Sequence, residues 1–513
     1  MAPSVQDNRN LVARVNIGDS LTRSAARQPS ALALVDGERR WSYAELDAVV
    51  NRTAHGLLAL GYVRGDALAL MAGNCAEFLI TYYACAKIGV VCVPLNLMWK
   101  GAEAQYVIDH SGARGLVVEE ALVGDAPEVA ERFVIGGSFA ALAGGQPDSA
   151  PAVYVEDRDA VSYLYTSGTT SAPKGVVGSH LAITLASMSA VIDMKITPAD
   201  RLAAMMPLFH TAQLNAFVTP TILAGGSVFL LRGFDAERLL ELIERERLTQ
   251  VFGLPMMYRA MLDHPDASTR DLSSLRLAFY AMAVMPDADL RRCLEVFRCD
   301  FALLFGQTEW SPISTIFQPE HQLSHTGAVG TPAASTQVAI MAEDGSLLAP
   351  GEIGEIVYRG PNALEGYLRD EEATDHVFRH GWFHSGDVGR LADDGMLWFE
   401  DRKKDVIKSG GENVSSLEVE KALYAAEPRI GEVVVIGLPH PRWTEAITAV
   451  VVPREGETLT GDEVLAAVKG ALSGFKAPKA VLVCDSLPRT STGKVQKHVL
   501  RQRYVAHYTE PSL

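Results

Sequence analysis

Tyr165-Thr166-Ser167-Gly168-Thr169-Thr170-Ser171-Ala172-Pro173-Lys174-Gly175 is a loop motif set between two ordered patterns. Ahead of it, Val161-Ser162-Tyr163-Leu164 is a short apolar, β-prone run that predicts a strand. Behind it, the chain from Val176 onward is expected to turn gradually helical. The loop carries five hydroxyl side chains (Thr166, Ser167, Thr169, Thr170, Ser171), two glycines and one lysine. Glycine lets a backbone approach a ligand closely, and hydroxyls with unpaired N–H groups donate to phosphate oxygens. Lys174 adds a mobile positive charge. The order is not that of a Walker loop, because Pro173 precedes the lysine and Gly175 follows it. Runs rich in Ser, Thr and Gly are commonly solvated surface loops; this one also suits the wrapping of a polyphosphate.

The 513 residues are too many for one compact core, so two or more domains are expected. The formal net charge of -16 argues against nonspecific nucleic-acid or anionic-membrane binding, while leaving an anionic substrate open. Six cysteines (Cys75, Cys85, Cys92, Cys293, Cys299, Cys484) lack C-x-x-C spacing and nearby histidine pairs. They read as reduced, mostly buried thiols, not a zinc site or disulfide frame. Met1 to Asn10 is polar and predicts no signal peptide, and no apolar run approaches the ~20 residues that span a bilayer. A cytoplasmic enzyme is the expectation.

Ser42-Tyr43-Ala44-Glu45 has capping-box spacing and predicts a helix ended by Gly61. Ala67–Met71, Val90–Val93 and Gly115–Val118 read as buried strands, alternating with helices around Phe78–Tyr83 and Gln105–Ile108. Residues 121–160 are weakly patterned. Beyond the loop motif, Leu202–Met205, Ser227–Leu231 and Leu275–Phe279 read as strands, and Asp235–Arg247 and Asp287–Phe297 as helices. This alternation predicts an α/β fold of mostly parallel, helix-covered sheets. From about Gly327 to residue 400, short alternating strands with Gly/Pro turns predict a β-rich subdomain. The charged run Glu400–Asp405 sets a boundary at Arg402. Residues 1–401 are then a large N-terminal domain, and 402–513 a small α+β C-terminal domain.

Other motifs follow the loop in order: Leu304-Phe305-Gly306-Gln307-Thr308-Glu309, His384-Ser385-Gly386-Asp387, Asp401-Arg402-Lys403-Lys404-Asp405-Val406-Ile407-Lys408, Ser409-Gly410-Gly411-Glu412-Asn413 and Pro488-Arg489-Thr490-Ser491-Thr492-Gly493-Lys494. Y-T-S-G-T-T-x-x-P-K-G and these motifs closely resemble the adenylate-forming superfamily: acyl- and aryl-CoA synthetases, firefly luciferases and peptide-synthetase adenylation domains. The resemblance covers nearly the whole chain. It implies that Thr166, Ser167, Gly168, Thr169, Thr170 and Lys174 hold the phosphates of ATP. Phe305, in place of the usual tyrosine, packs near adenine with Gly306 and Gln307 beside it. Thr308 touches the α-phosphate, and Glu309 ligates Mg²⁺ directly or through water, with Thr166 a second candidate for the metal. One carboxylate plus phosphate oxygens is a common way to hold Mg²⁺. Asp387 and Arg402 reach the ribose, and the acceptor-only carboxylate suits a diol; Ser385 replaces the commoner threonine. Lys404 is the pivot of a mobile C-terminal domain. Lys408, Gly410 and Gly411 serve coenzyme A, and Lys494 bridges the substrate carboxylate and the α-phosphate.

The acid itself is less legible. His210, in Met206–His210, corresponds to the aromatic gate of the acyl pocket. Ala281, Met282 and Ala283 correspond to a pocket-lining segment usually rich in small residues, and Trp310 follows Glu309. Large side chains there predict a short pocket for a small or aryl acid. The implied reaction is acyl-adenylate formation with release of pyrophosphate, then transfer to the thiol of coenzyme A. A stand-alone enzyme loading a carrier protein, and a relative activating nitrite for an amine, stay open. So does a homodimer.

Overall fold

The computed structural model describes residues 5–166, 173–282, 285–490 and 495–508. The chain forms two compact units: Met1–Val338 with Tyr358–Phe383, and Ala339–Val357 with His384–Leu513.

Among the described residues, the first unit holds a nine-stranded and a seven-stranded sheet. The larger runs in the order Thr331–Pro332, Ile313–Phe317, Asp300–Gly306, Leu277–Tyr280, Gln250–Gly253, Arg201–Ala204, Ser227–Leu230, Leu32–Asp36 and Arg39–Ser42. From Asp300–Gly306 to Leu32–Asp36 all neighbours are parallel. The smaller runs Gly366–Tyr367, Lys174–Ser179, Ala160–Thr166, Val91–Pro94, Ala67–Met71, Ala113–Glu119 and Glu131–Ile135. Its strands from Ala160–Thr166 to Glu131–Ile135 are parallel.

Alternation along each strand sorts side chains between two layers. Leu68, Leu70 and Cys92 of the smaller sheet join Leu34, Leu202, Ala204, Val228, Phe252 and Phe279 of the larger in one core. Their neighbours Ala67, Ala69 and Met71 face Val107 and Ile108 of the helix Ala102–Ser111 on the opposite side. Ala203, Phe229, Val251 and Ala278 likewise face the helices Ala236–Glu246 and Asp287–Phe297. The helix Ala76–Ile88 belongs to the shared core and is buried almost all round, which is what a helix enclosed on every side requires. Lys87 within it is 1% exposed, and its ammonium donates to Thr22, Asp47 and Asn51 at 2.5–2.8 Å. The helix Tyr43–Ala59 opens on the expected capping box, with both reciprocal bonds formed.

One local expectation is corrected. Val176 does not begin a helix: Lys174–Ser179 is a strand, antiparallel to Ala160–Thr166, and the helix starts at His180 with Ser179 as its N-cap. Val176 and Val177 are β-branched and find a partner strand on either side, which local pattern does not show.

In the second unit, Ile430–His440 and Thr444–Pro453 form a long antiparallel pair, with Ala480–Val483 parallel to the latter. Ile407–Ser409 and Glu412–Val414 extend this sheet, and the helices Ser416–Ala426 and Gly461–Val468 pack on its apolar face. Asp387 to Leu391 pairs with Leu397 to Arg402.

Candidate active site

Four neighbouring parallel strands of the first unit, ending at Ala204, Gly253, Tyr280 and Gly306, are in register through Val251–Ala203, Gly253–Tyr280 and Tyr280–Leu303. The segments that follow them therefore leave at one edge, where open parallel sheets bind ligands. These strand ends and the segments after them carry His210, Ala281, Met282 and the run Phe305–Glu309. Phe305, Gln307, Thr308 and Glu309 are half-buried and Gly306 is exposed. Gly306 is required by a close approach: a Cβ there would lie 1.8 Å from the Pro312 carbonyl oxygen. That same oxygen accepts from Gln307 N–H at 2.9 Å. Thr308–Trp310 then makes a single tight turn. Trp310 is completely buried; its Nε1 donates to Thr336 Oγ1 at 2.9 Å and its ring packs on Tyr358 and Phe383. The indole thus anchors the residue next to Glu309. Met282 holds φ of 68°, unusual for a side chain with a Cβ, and is 39% exposed. His210 caps the short helix Thr211–Gln213, its Nδ1 accepting from Ala212 N–H at 3.1 Å.

The loop motif joins two paired strands, and Thr166 and Lys174 stand opposite each other at its base. Ser167, Gly168, Thr169 and Thr170 lie outside the described residues, as do Ala283 and Lys494. Lys174 Nζ is 3.2 Å from Asp370 Oδ2 and 5.1 Å from the Tyr367 ring centroid. The Tyr367 hydroxyl donates to Glu309 Oε1 at 3.0 Å. Gly366–Tyr367 is delivered there as a third strand beside Val176–Val177, with Leu368 N–H donating to the Gly175 carbonyl and Leu364 N–H to the Glu309 carbonyl. Burial, then the charge of Glu309, push the Tyr367 phenol well above its usual range, so it remains a donor. Tyr367 and Asp370 sit in no motif read from the sequence; the pairing of Gly366–Tyr367 with Val176–Val177 brings in the first, and the second caps the helix Glu371–Val377 that follows.

No group of three or more His, Cys, Asp or Glu side chains able to cage a metal occurs among the described residues. Glu309 offers one carboxylate, tied through Tyr367 to Lys174 at the base of the loop motif. That donor set fits Mg²⁺, which takes few protein ligands and completes its shell with phosphate oxygens and water.

In the second unit, Asp387 is 5% exposed and pairs across the sheet with Arg402, whose Nε is 3.4 Å from Asp387 Oδ1. Asp387 N–H donates to Ser385 Oγ at 3.0 Å, and that hydroxyl donates to the Ile356 carbonyl at 2.5 Å. The serine therefore supplies the oxygen that braces Asp387. Lys404 is exposed, in a turn closed by Asp405 N–H on the Arg402 carbonyl at 2.7 Å. Gly410 and Gly411, with φ of 63° and 90°, form the two-residue turn between the paired residues Ser409 and Glu412. Two successive left-handed residues at a hairpin tip favour glycine. Gly410 N–H donates to the Trp443 carbonyl at 2.9 Å; the Lys408 side chain is exposed beside it. Arg489 bridges Val495, and Gln496 N–H donates to the Pro488 carbonyl at 2.8 Å.

A family profile described as AMP-binding enzyme matches residues 21–368, and one described as AMP-binding enzyme C-terminal domain matches residues 418–494. The chain belongs to the AMP-binding enzyme family. Among its relatives are feruloyl-CoA synthases of Amycolatopsis sp and Streptomyces sp, 38% identical over 95% of this chain and 99% of theirs. An indoleacetate–CoA ligase of Aromatoleum aromaticum is 35% identical over 95% of this chain and 98% of its own. ATP-bound MatB from Rhodopseudomonas palustris superimposes with a TM-score of 0.89 at 31% identity, covering 97% of this chain and 100% of that one. As a member of this family the protein is an enzyme, an acid–thiol ligase of the acyl-CoA synthetase type that works on an acid with ATP and coenzyme A. Among the described residues, no helix is long and apolar enough to cross a membrane.

Proposed function

We propose that this AMP-binding enzyme activates a small or aryl carboxylic acid as its acyl-adenylate and passes the acyl group to coenzyme A. The observation that carries the reading is the convergence of Lys174, Tyr367 and Glu309 at the base of the phosphate loop, beside the strand-end edge that bears Met282 and His210. The half-exposed Met282 and the aryl acids named in the feruloyl and indoleacetate relatives support the choice of acid.

In the first step a carboxylate oxygen of the acid attacks the α-phosphorus of ATP, and the bond to the bridging oxygen breaks to release pyrophosphate. Two anions must meet, so catalysis is chiefly positioning and charge neutralisation. Thr166, Lys174 and the loop between them are assigned the phosphates, Thr308 the α-phosphate, Phe305 the adenine, and Asp387 with Arg402 the ribose diol. Lys494 is assigned both the carboxylate and the α-phosphate. Mg²⁺, held through Glu309 with phosphate oxygens, would supply further neutralising charge. In the second step the thiol of coenzyme A, losing its proton, attacks the acyl carbonyl and AMP leaves. Residues 402–513 are assigned to a C-terminal domain that turns about Lys404 between the steps, withdrawing Lys494 and presenting Lys408, Gly410 and Gly411 for the thiol.

Pyrophosphate release from ATP and Mg²⁺ tests this across a panel of aryl and short aliphatic acids and nitrite, each with and without coenzyme A. One aryl or short acid giving coenzyme A-dependent AMP and an acyl-CoA mass is the expected result. Turnover that ignores coenzyme A but needs a carrier protein, or that appears with nitrite and an amine alone, overturns the proposal.

A further inference from the structure

Tyr367 touches two charged groups of the site at once. Its hydroxyl donates to Glu309 Oε1 at 3.0 Å, and the Lys174 ammonium sits 5.1 Å from its ring centroid. The first contact ties one carboxylate oxygen to a fixed donor and leaves the other oxygen with a set direction. Partners of this kind orient a ligating group and sharpen its affinity. The second contact holds the ammonium by attraction to the ring face, with Asp370 at 3.2 Å as its counter-charge. The backbone of Tyr367 is itself fixed, since Tyr367 pairs with Val176, and Leu364 N–H donates to the carbonyl of Glu309. One rigid ring therefore sets the spacing between a carboxylate and an ammonium.

We infer that Tyr367 is a positioning residue for the metal–nucleotide complex: its hydroxyl orients Glu309 toward the cation, and its ring holds Lys174 at the spacing the phosphates need. The inference rests on the adenylate-forming reading of the site and goes beyond it by assigning a residue that lies in none of the nucleotide motifs. The hydroxyl and the ring make separable contributions. Tyr367→Phe removes the donor while keeping the ring, and Tyr367→Leu removes both.

The test uses the full chain. ATP binding is measured by calorimetry in EDTA, and Mn²⁺ binding to the enzyme–ATP complex by electron paramagnetic resonance, with melting temperatures recorded for each variant. Tyr367→Phe is expected to weaken Mn²⁺ binding about tenfold. Its ATP affinity in EDTA should stay within about twofold of the parent, because the ring still faces Lys174. Tyr367→Leu is expected to weaken both. A Tyr367→Phe chain with the parent's Mn²⁺ affinity overturns the inference, as does one in which only the melting temperature falls. If Tyr367→Leu does not fold, Tyr367→Phe decides the matter alone. If the parent binds no ATP, the reading of the site falls and the inference with it; ATP binding with an unaltered Tyr367→Phe variant removes the inference only.

Discussion

At the residue scale, single side chains carry charge into places where water would otherwise neutralise it. Lys494 is assigned the developing negative charge of the first step. Lys494→Ala is therefore expected to slow acid-dependent ATP–pyrophosphate exchange by a factor on the order of 100–1,000, the usual loss of one charge-stabilising donor. Exchange kinetics at saturating ATP measure this. A second residue shows the same physics in the scaffold. Asp200, 2% exposed, accepts from Arg276 at 2.6 and 2.8 Å, from Thr249 Oγ1 at 2.7 Å and from Thr197 N–H at 2.8 Å. Burial alone would raise its pKa; the Arg276 bonds, the Thr197 N–H and the Thr249 hydroxyl outweigh it and hold the carboxyl below its usual range. A depressed folded pKa contributes stability that is present above the unfolded value of about 3.9 and is lost as pH falls through the folded one. Asp200→Asn should cost about 2 kcal/mol at neutral pH. It should also flatten the fall in stability below about pH 4, as read from urea midpoints across pH. Motif order singles out Lys494 in the sequence. Asp200 is not singled out, because two of its partners, Thr249 and Arg276, lie 49 and 76 residues away.

At the element scale, the turn after the strand Asp300–Gly306 sets where Glu309 points. It is held by the close approach at Gly306 below and the buried indole of Trp310 above. Gly306→Ala would force a methyl into the Pro312 carbonyl oxygen, 1.8 Å from the ideal Cβ position. The pair Asp300–Gly306 and Ile313–Phe317 must then part at its end. We expect a loss of about 3 kcal/mol in stability, with weaker nucleotide binding, checked by thermal melts with and without ATP. This element shows how far sequence reading reaches. The aromatic–Gly–x–Thr–Glu pattern located the turn, but not the reason for the glycine. Size alone places Trp310 among pocket-filling residues, and the fold shows its ring packed on Tyr358 and Phe383. Hydrophobic size is visible in a sequence; the direction in which a large side chain is buried depends on what lies opposite.

At the scale of the whole molecule, the proposed mechanism asks for two successive arrangements of one chain. Rotation about a few residues needs free backbone dihedrals at the pivot. Lys404→Pro fixes φ there. Adenylation should stay within about threefold of the parent while thioester formation falls at least about tenfold. Separate assays of pyrophosphate exchange and acyl-CoA formation make the comparison; equal losses in both would refute Lys404 as pivot. The α/β class, many of the strands and helices, and the family to which the ordered motifs point were legible in the sequence. Each rests on signals within one short segment: apolar period, cap and turn chemistry, residue order. That Lys174–Ser179 is a strand, and that Tyr367 meets Glu309 across 58 residues of chain, is visible only in the folded chain. Such pairings are settled by burial and hydrogen bonding between distant segments, a free energy no single segment contains.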